Sequence, residues 1–397
     1  MSTGKKITFV VILVAVVGTI IYLESLKMPR TAAVTVLQTL TATSTSTSSS
    51  SSTTASSGFL ASRSSTIAQE AQEYPSAPEI TDPTGWINTQ PFTLSSLVGK
   101  KVVLLDFWTY SCINCIRTLP YLEAWYQKYA SSGLEIVGIH TPEFQFEHDI
   151  ANVQAAVQKF GITYPVVLDS NMGTWNAYQN LYWPAEYLIN IDGFIVHNSI
   201  GEGNYAETET AIQSALVQRA VALGLPTSTI PTGTVNPTST IAINYNDVAS
   251  PETYFGSARN GYLGNGAQST PGAQTLTLPA TTDITANTLY LGGTWNFSDQ
   301  YATNESAGAT ILYEYDAMNV YMVASSANPN QPVTLKLTLD GKPLGGAAGS
   351  DVSATSSTAV VQADRLYNLV SGQSYGAHVL QITVENQGLD AYTFTFG

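Results

Sequence analysis

Charge is what this chain has least of. Only 11% of its 397 residues are charged, with 15 Lys and Arg against 29 Asp and Glu, for a net charge of −14. A chain this poor in cations repels nucleic acid, and no basic patch offsets the deficit. Metal ligands are scarce too: two cysteines and four histidines, His140, His148, His197 and His378. A structural zinc site takes four ligands, and none of the histidines stands at a zinc-finger spacing from the cysteines. No metal is expected.

The two cysteines are Cys112 and Cys115, in the stretch DFWTYSCINC (106–115). The apolar run Val102 to Leu105 reads as a buried strand, because it is short, β-branched and preceded by Gly99-Lys100-Lys101. A helical pattern follows from Ile116 to Tyr129. A strand that delivers Cys-x-x-Cys to a helix start suits redox chemistry: the free N–H groups and positive dipole end there favour a thiolate at Cys112. An inert disulfide is the competing reading, but across two residues it would constrain little unfolded chain.

Lys5 and Lys6 precede the uncharged apolar run Ile7 to Leu23, just long enough to span a bilayer. The charge asymmetry predicts a single-pass anchor over residues 1–30, N-terminus inside and the remainder extracytoplasmic, or a secreted protein if the segment is cleaved. Residues 31–73 include the Ser/Thr run Thr39 to Ser57 and read as a disordered stalk. The length beyond it allows two domains: an α/β domain over 74–224 and, after a Pro/Thr-rich linker at 225–240, an all-β domain over 241–397. Asn296-Phe297-Ser298 and Asn304-Glu305-Ser306 are glycosylation sequons.

The order Gly99-Lys100, apolar strand, Asp106-Phe107-Trp108, Cys-x-x-Cys and helix resembles exported thioredoxin-like proteins of the TlpA and ResA type. Further motifs extend the resemblance over about 150 residues: Pro120 inside the helix, the strand LEIVGI (134–139), the segment YPVVLD (164–169), and Trp183-Pro184 ahead of an apolar strand. The phrases FWTYSCINC, GIHTPEF and YWPAEYLI resemble the extracytoplasmic part of DipZ-like proteins, which also carry an all-β module. Those proteins have a multi-span membrane domain, whereas this chain has one apolar span. The resemblance therefore implies a separate membrane electron donor of the CcdA/DsbD type.

The same resemblance implies roles. Cys112 is the attacking thiolate and Cys115 the resolving thiol, with no cofactor besides their disulfide. Asp106 is a proton acceptor for the resolving thiol. ResA-type enzymes keep a glutamate three residues after the second cysteine; Thr118 stands there, leaving Glu143 and Glu186 as substitutes. The Trp183-Pro184 bond is expected to be cis, and Trp108, Tyr110 and Trp183 either form an apolar rim for a client peptide or belong to the core. Arg117 lowers the Cys112 pKa or is merely solvated.

Beyond residue 240 the periodicity changes to two. Val333, Leu335, Leu337 and Leu339 alternate with polar residues before an Asp340-Gly341 turn, as do His378 to Glu385 and Tyr392 to Phe396. Other strand-like runs are 288–291, 311–315 and 320–323. Many short strands imply an antiparallel sandwich, and the closing segment resembles jelly-roll modules of the carbohydrate-binding kind. Trp295, Tyr254 and Tyr262 are candidates for a sugar platform; a docking or spacer module is the alternative.

The expectation is an α/β thioredoxin-like domain plus an all-β jelly-roll sandwich, preceded by one transmembrane helix. Its function would be thiol–disulfide exchange with protein substrates, the all-β module serving either a glycan contact or a docking or spacer role. The alternatives are a thiol peroxidase of the same fold, whose Pro-x-x-x-Thr-x-x-Cys the 107–112 segment does not fit, or a cell-surface glycan- or protein-binding protein with a vestigial redox domain.

Overall fold

The computed structural model describes residues 52–238 and 243–397. The membrane segment expected over 1–30 lies outside them, as does the stalk up to residue 51. Among the described residues no helix is long and apolar enough to cross a membrane. The rest of the expected stalk is ordered: Ser52–Glu73 forms helix α1. Specific polar contacts hold its end. Arg63 pairs with Asp192 at 2.7 Å, and the Glu70 carboxylate accepts from Asn190 and Gln218. Ser/Thr composition is a weak guide where such partners exist downstream.

The first sheet contains β1 (Gly85–Ile87), β2 (Val102–Trp108), β3 (Leu134–His140), β4 (Val166–Leu168), β5 (Ala185–Ile189) and β6 (Ile195–Ile200), in the order β1-β4-β3-β2-β5-β6. β2, β3 and β4 run parallel, and the others pair antiparallel. Helix α2 (Ile113–Tyr129) links β2 to β3, and α3 (Ile150–Phe160) links β3 to β4. A short α4 (Gly173–Ala177) and then α5 (Tyr205–Ala222) complete the set. This is the thioredoxin-like fold.

Alternation along β2 sorts its side chains between two cores. Val102, Leu104 and Trp108 pack with α2, α3 and α5; Val103, Leu105 and Phe107 meet Ile80, Leu94, Trp175 and Tyr178 on the other face. With both faces covered, β2 is buried along its whole length. That explains why it reads as an apolar run rather than an alternation.

The all-β part is one 13-stranded sheet folded on itself. Its path turns at β7 (Leu289–Phe297). The first half of β7 pairs with Ala309–Asp316 in one layer, and its second half pairs with Gly272–Leu276 and Ala302–Asn304 in the other. Gly292-Gly293 stands at the crossing. Gly293 has φ +92, and a Cβ there would come within 3.2 Å of the Ala309 backbone. Only glycine allows that corner. The Asp340-Gly341 turn has positive φ at both residues, as a tight two-residue hairpin requires. The layers enclose one apolar core that includes Trp295, Phe297, Tyr313, Leu335, Ile382 and Phe394. Asn304 is buried and donates to Ser306 and Asn386, so its sequon is not displayed.

Both sheets belong to one compact unit, Ser62–Gly397. The Pro/Thr-rich segment between them is docked rather than free: Lys128 and Gln213 donate to the Gly233 carbonyl, and Val235 donates to Glu209.

Candidate active site

Burial of β2 fixes where the cysteines sit. The strand ends at Trp108, and Thr109-Tyr110-Ser111 turn the chain into α2, with Cys112 as the residue that caps the helix. Cys112 is extended, φ −79 and ψ 115, and its sulfur accepts the Cys115 N–H at 3.4 Å. One turn of helix separates the two thiols, so they differ in exposure. Cys112 is partly exposed, whereas Cys115 is 1% exposed. Burial pushes the Cys115 thiol up, and the neighbouring Cys112 and the charge of Asp106 push it further.

Asp106 and Glu186 lie beneath. They are direct partners across β2 and β5, so their side chains leave the sheet on the same face at the same level. Both are almost fully buried, and each keeps one carboxyl oxygen without a partner. Burial pushes Asp106 up to about 8, and burial with the charge of Asp106 pushes Glu186 up to about 8. Unfolded carboxyls titrate near 4, so between about pH 4 and 8 the folded chain binds more protons than the unfolded one. The contribution of these groups to stability is therefore full below about pH 4 and is lost as pH rises through about 8. Denaturant titrations across this range should show stability falling with pH. The Asp106→Asn/Glu186→Gln double variant should flatten that fall; an unchanged slope would refute the assignment.

The loop ahead of Cys112 rests on a residue the sequence did not flag. Glu147 is fully buried and accepts from Ser111 Oγ at 2.6 Å, Ser111 N at 3.3 Å, Glu143 N at 2.7 Å and Phe144 N at 2.9 Å. Burial pushes its carboxyl up, while bonds from Ser111, Thr109 and Phe144 pull it back. Its only trace in the sequence is an acid four residues after Glu143. Glu143 itself faces the all-β domain: its Oε1 accepts from Tyr254 at 2.9 Å and from Arg259 at 2.7 Å.

The expected aromatic rim does not form as a unit. Trp108 and Tyr110 are buried, in the core that they share with Cys115, Leu119 and Leu122 of α2. Tyr110 stacks on His140 at 5.7 Å, and Trp108 meets the same ring edge-on. Burial holds His140 down to about 3, so it is neutral. Trp183 alone remains half-buried; its indole lies tilted against Trp175, 4.3 Å between ring centroids, and donates to the Thr141 carbonyl. The Trp183-Pro184 bond is cis. Just before it, Leu181 and Tyr182 are 72% and 60% exposed.

Arg117 is neither solvated nor aimed at Cys112. It is 5% exposed, pairs with Glu202 at 2.8 Å and donates to Asn114 at 2.6 Å. Ile113, between the cysteines, is also 5% exposed and packs against Tyr321, Val323, Leu366 and Tyr392 of the all-β domain. That domain thus forms a wall of the site, which a detached spacer would not. Its sugar-platform candidates are scattered. Trp295 is in the core and donates to Gly292, Tyr254 is held by Glu143 and Arg259, and only Tyr262 is exposed.

Residues 75–198 match the family model described as "AhpC/TSA family", and residues 250–397 match "Thioredoxin like C-terminal domain". The chain is 36% identical over 333 residues to Protein DipZ of Mycobacterium bovis, covering 83% of this chain and 44% of that protein. It therefore spans less than half the length of that relative. It is 32% identical over 127 residues to thiol-disulfide oxidoreductase ResA of Bacillus thuringiensis, 30% of this chain and 70% of that one. It is 28% identical over 141 residues to thiol-disulfide oxidoreductase YkuV of Bacillus subtilis, 36% and 94% of the two chains.

Proposed function

Because the chain belongs to the family of thioredoxin-like thiol–disulfide oxidoreductases, we propose that Cys112 and Cys115 are its redox pair and exchange electrons with disulfides of client proteins. The observation that carries this reading is the asymmetry at the start of α2, where a partly exposed sulfur caps the helix and a buried one lies a turn below. Cys112, as thiolate, attacks a client sulfur and forms a mixed disulfide, releasing the other client sulfur as thiolate. Cys115 then gives up its proton and attacks Cys112. The Cys112–Cys115 bond forms, the client's second sulfur leaves, and two electrons have passed to the client. The sulfurs carry the electrons without a further cofactor. Asp106, whose charge acts on Cys115, is the acceptor of that proton.

The client approaches along the segment leading into the cis proline. Leu181 and Tyr182 are exposed apolar side chains beside it, and such side chains lower the cost of docking an unfolded segment. The Leu181→Ala/Tyr182→Ala double variant should raise KM for a protein disulfide about tenfold and leave kcat within twofold, since it removes binding shared by ground and transition states. Equal KM values would place the client elsewhere.

The whole molecule is read as anchored through residues 1–30 with its domains extracytoplasmic, and as supplied with electrons by a separate membrane protein of the CcdA/DsbD type. Insulin reduction measured beside peroxide consumption tests the central claim: reduction without peroxide turnover supports it, whereas peroxide turnover alone would favour a thiol peroxidase.

A further inference from the structure

Asp106, Glu186 and Ser199 form one cross-strand row. Asp106 pairs with Glu186 across β2 and β5, and Glu186 pairs with Ser199 across β5 and β6. All three are buried, and Asp106 Oδ1, Glu186 Oε2 and Ser199 Oγ lack hydrogen-bond partners. The row continues into α5. Thr208, fully buried, is near enough to the Glu186 carboxyl to pull its pKa down, and its Oγ1 lies 3.2 Å from His197 Nε2. His197 is half-buried on β6, the edge strand of the sheet. At the other end Ile113 and Tyr110 are buried beside the partly exposed Cys112.

We propose that Asp106 and Glu186 hold protons as one pair, and that the proton taken from Cys115 leaves through Thr208 and His197 at the sheet edge. This rests on the redox reading above. Two carboxylates facing each other in a buried row cannot both stay ionised, so the pair always holds at least one proton, and a vacant site opens as pH approaches about 8. The groups facing them are Cys112 and Cys115 from α2, Tyr164 ahead of β4, and Tyr205 and Thr208 from α5. More remotely, Glu123 acts on Tyr164, Glu202 on Tyr205 and Glu207 on His197. None of these is a cation that would hold the pair fully ionised.

When the Cys115 sulfur attacks Cys112, its proton fills the vacant site. Glu186 then passes a proton to the Thr208 oxygen while the Thr208 hydrogen moves to His197 Nε2, and His197 releases a proton to solvent. No electrons move in this relay, and it runs in reverse when the disulfide is reduced.

The test uses the full chain and a single-turnover assay with a fluorescent peptide disulfide, which separates attack by Cys112 from resolution by Cys115. Thr208→Val and His197→Ala should each slow resolution about tenfold, a fraction of the range for proton-transfer catalysis, and leave the attack step unchanged. Thr208→Ser should restore the rate, and added imidazole should rescue His197→Ala. Glu186→Gln should reduce two titrations in the pH profile of resolution to one. Wild-type rates and profiles in Thr208→Val and His197→Ala would overturn the relay and leave the redox reading standing. If wild type itself forms no mixed disulfide, the redox reading falls instead.

Discussion

Replacing Cys112 with serine is expected to reduce disulfide exchange to the uncatalysed rate, because no other thiol in the described residues reaches solvent. Cys115→Ser should behave differently. Attack by Cys112 survives, but nothing resolves the product, so one equivalent of client stays covalently bound. Non-reducing electrophoresis or intact mass after mixing with a client disulfide reads both outcomes directly. The asymmetry follows from burial: Cys112 caps the helix where a client sulfur reaches it, whereas Cys115 is closed to everything except Cys112. Serine is close to isosteric, so the folds should hold and circular dichroism should match wild type. If Cys115→Ser traps nothing while Cys112→Ser does, the roles are reversed. If the double variant still reduces insulin, the pair is not the redox centre.

Glu147→Ala should be among the most destabilising single changes in the thioredoxin-like domain. It strips the acceptor from four donors at once: two on Ser111, and the backbone N–H groups of Glu143 and Phe144. A buried donor left unpaired costs about 1–3 kcal/mol, so even with partial rehydration the loss should reach about 4 kcal/mol. For the compact unit Ser62–Gly397 that lowers Tm by roughly 6 °C. Glu147→Gln keeps one acceptor oxygen but turns an NH2 toward donors, so it should recover only part of the loss. Calorimetry gives the stability. Alkylation kinetics of Cys112 give the second consequence, since Ser111 directly precedes it: in the alanine variant the thiol should lose its fixed position at the start of α2. A Tm within 2 °C of wild type would show that the four bonds are replaced by solvent at little cost.

Glu147 also marks where sequence reasoning stops. Nothing local separates it from Glu143, and its role appears only when the 141–149 loop is folded against Ser111. Arg117 teaches the same lesson. Two positions after Cys115 it invites a reading as a tuner of the thiol, yet Glu202, from the turn before α5, captures it. The sugar-platform reading of Trp295 failed for a related reason, since alternation places a residue on a face but does not say whether that face is covered. Ser52–Glu73 was misread because its contacts are with Asp192, Asn190 and Gln218, all distant in sequence.

What the sequence determined by itself is the short-range part. It set the strand that delivers Cys-x-x-Cys to a helix start, the Asp340-Gly341 turn, and the change of period that marks the all-β region. Each is encoded within a few residues by side-chain alternation, helix termini and backbone freedom. The tertiary structure alone decided that Asp106 faces Glu186, that Glu147 holds the loop before Cys112, and that the all-β domain lies over Ile113. Those depend on which distant surfaces exclude water together, and burial and partnership of that kind are properties of the packed chain rather than of any segment in it.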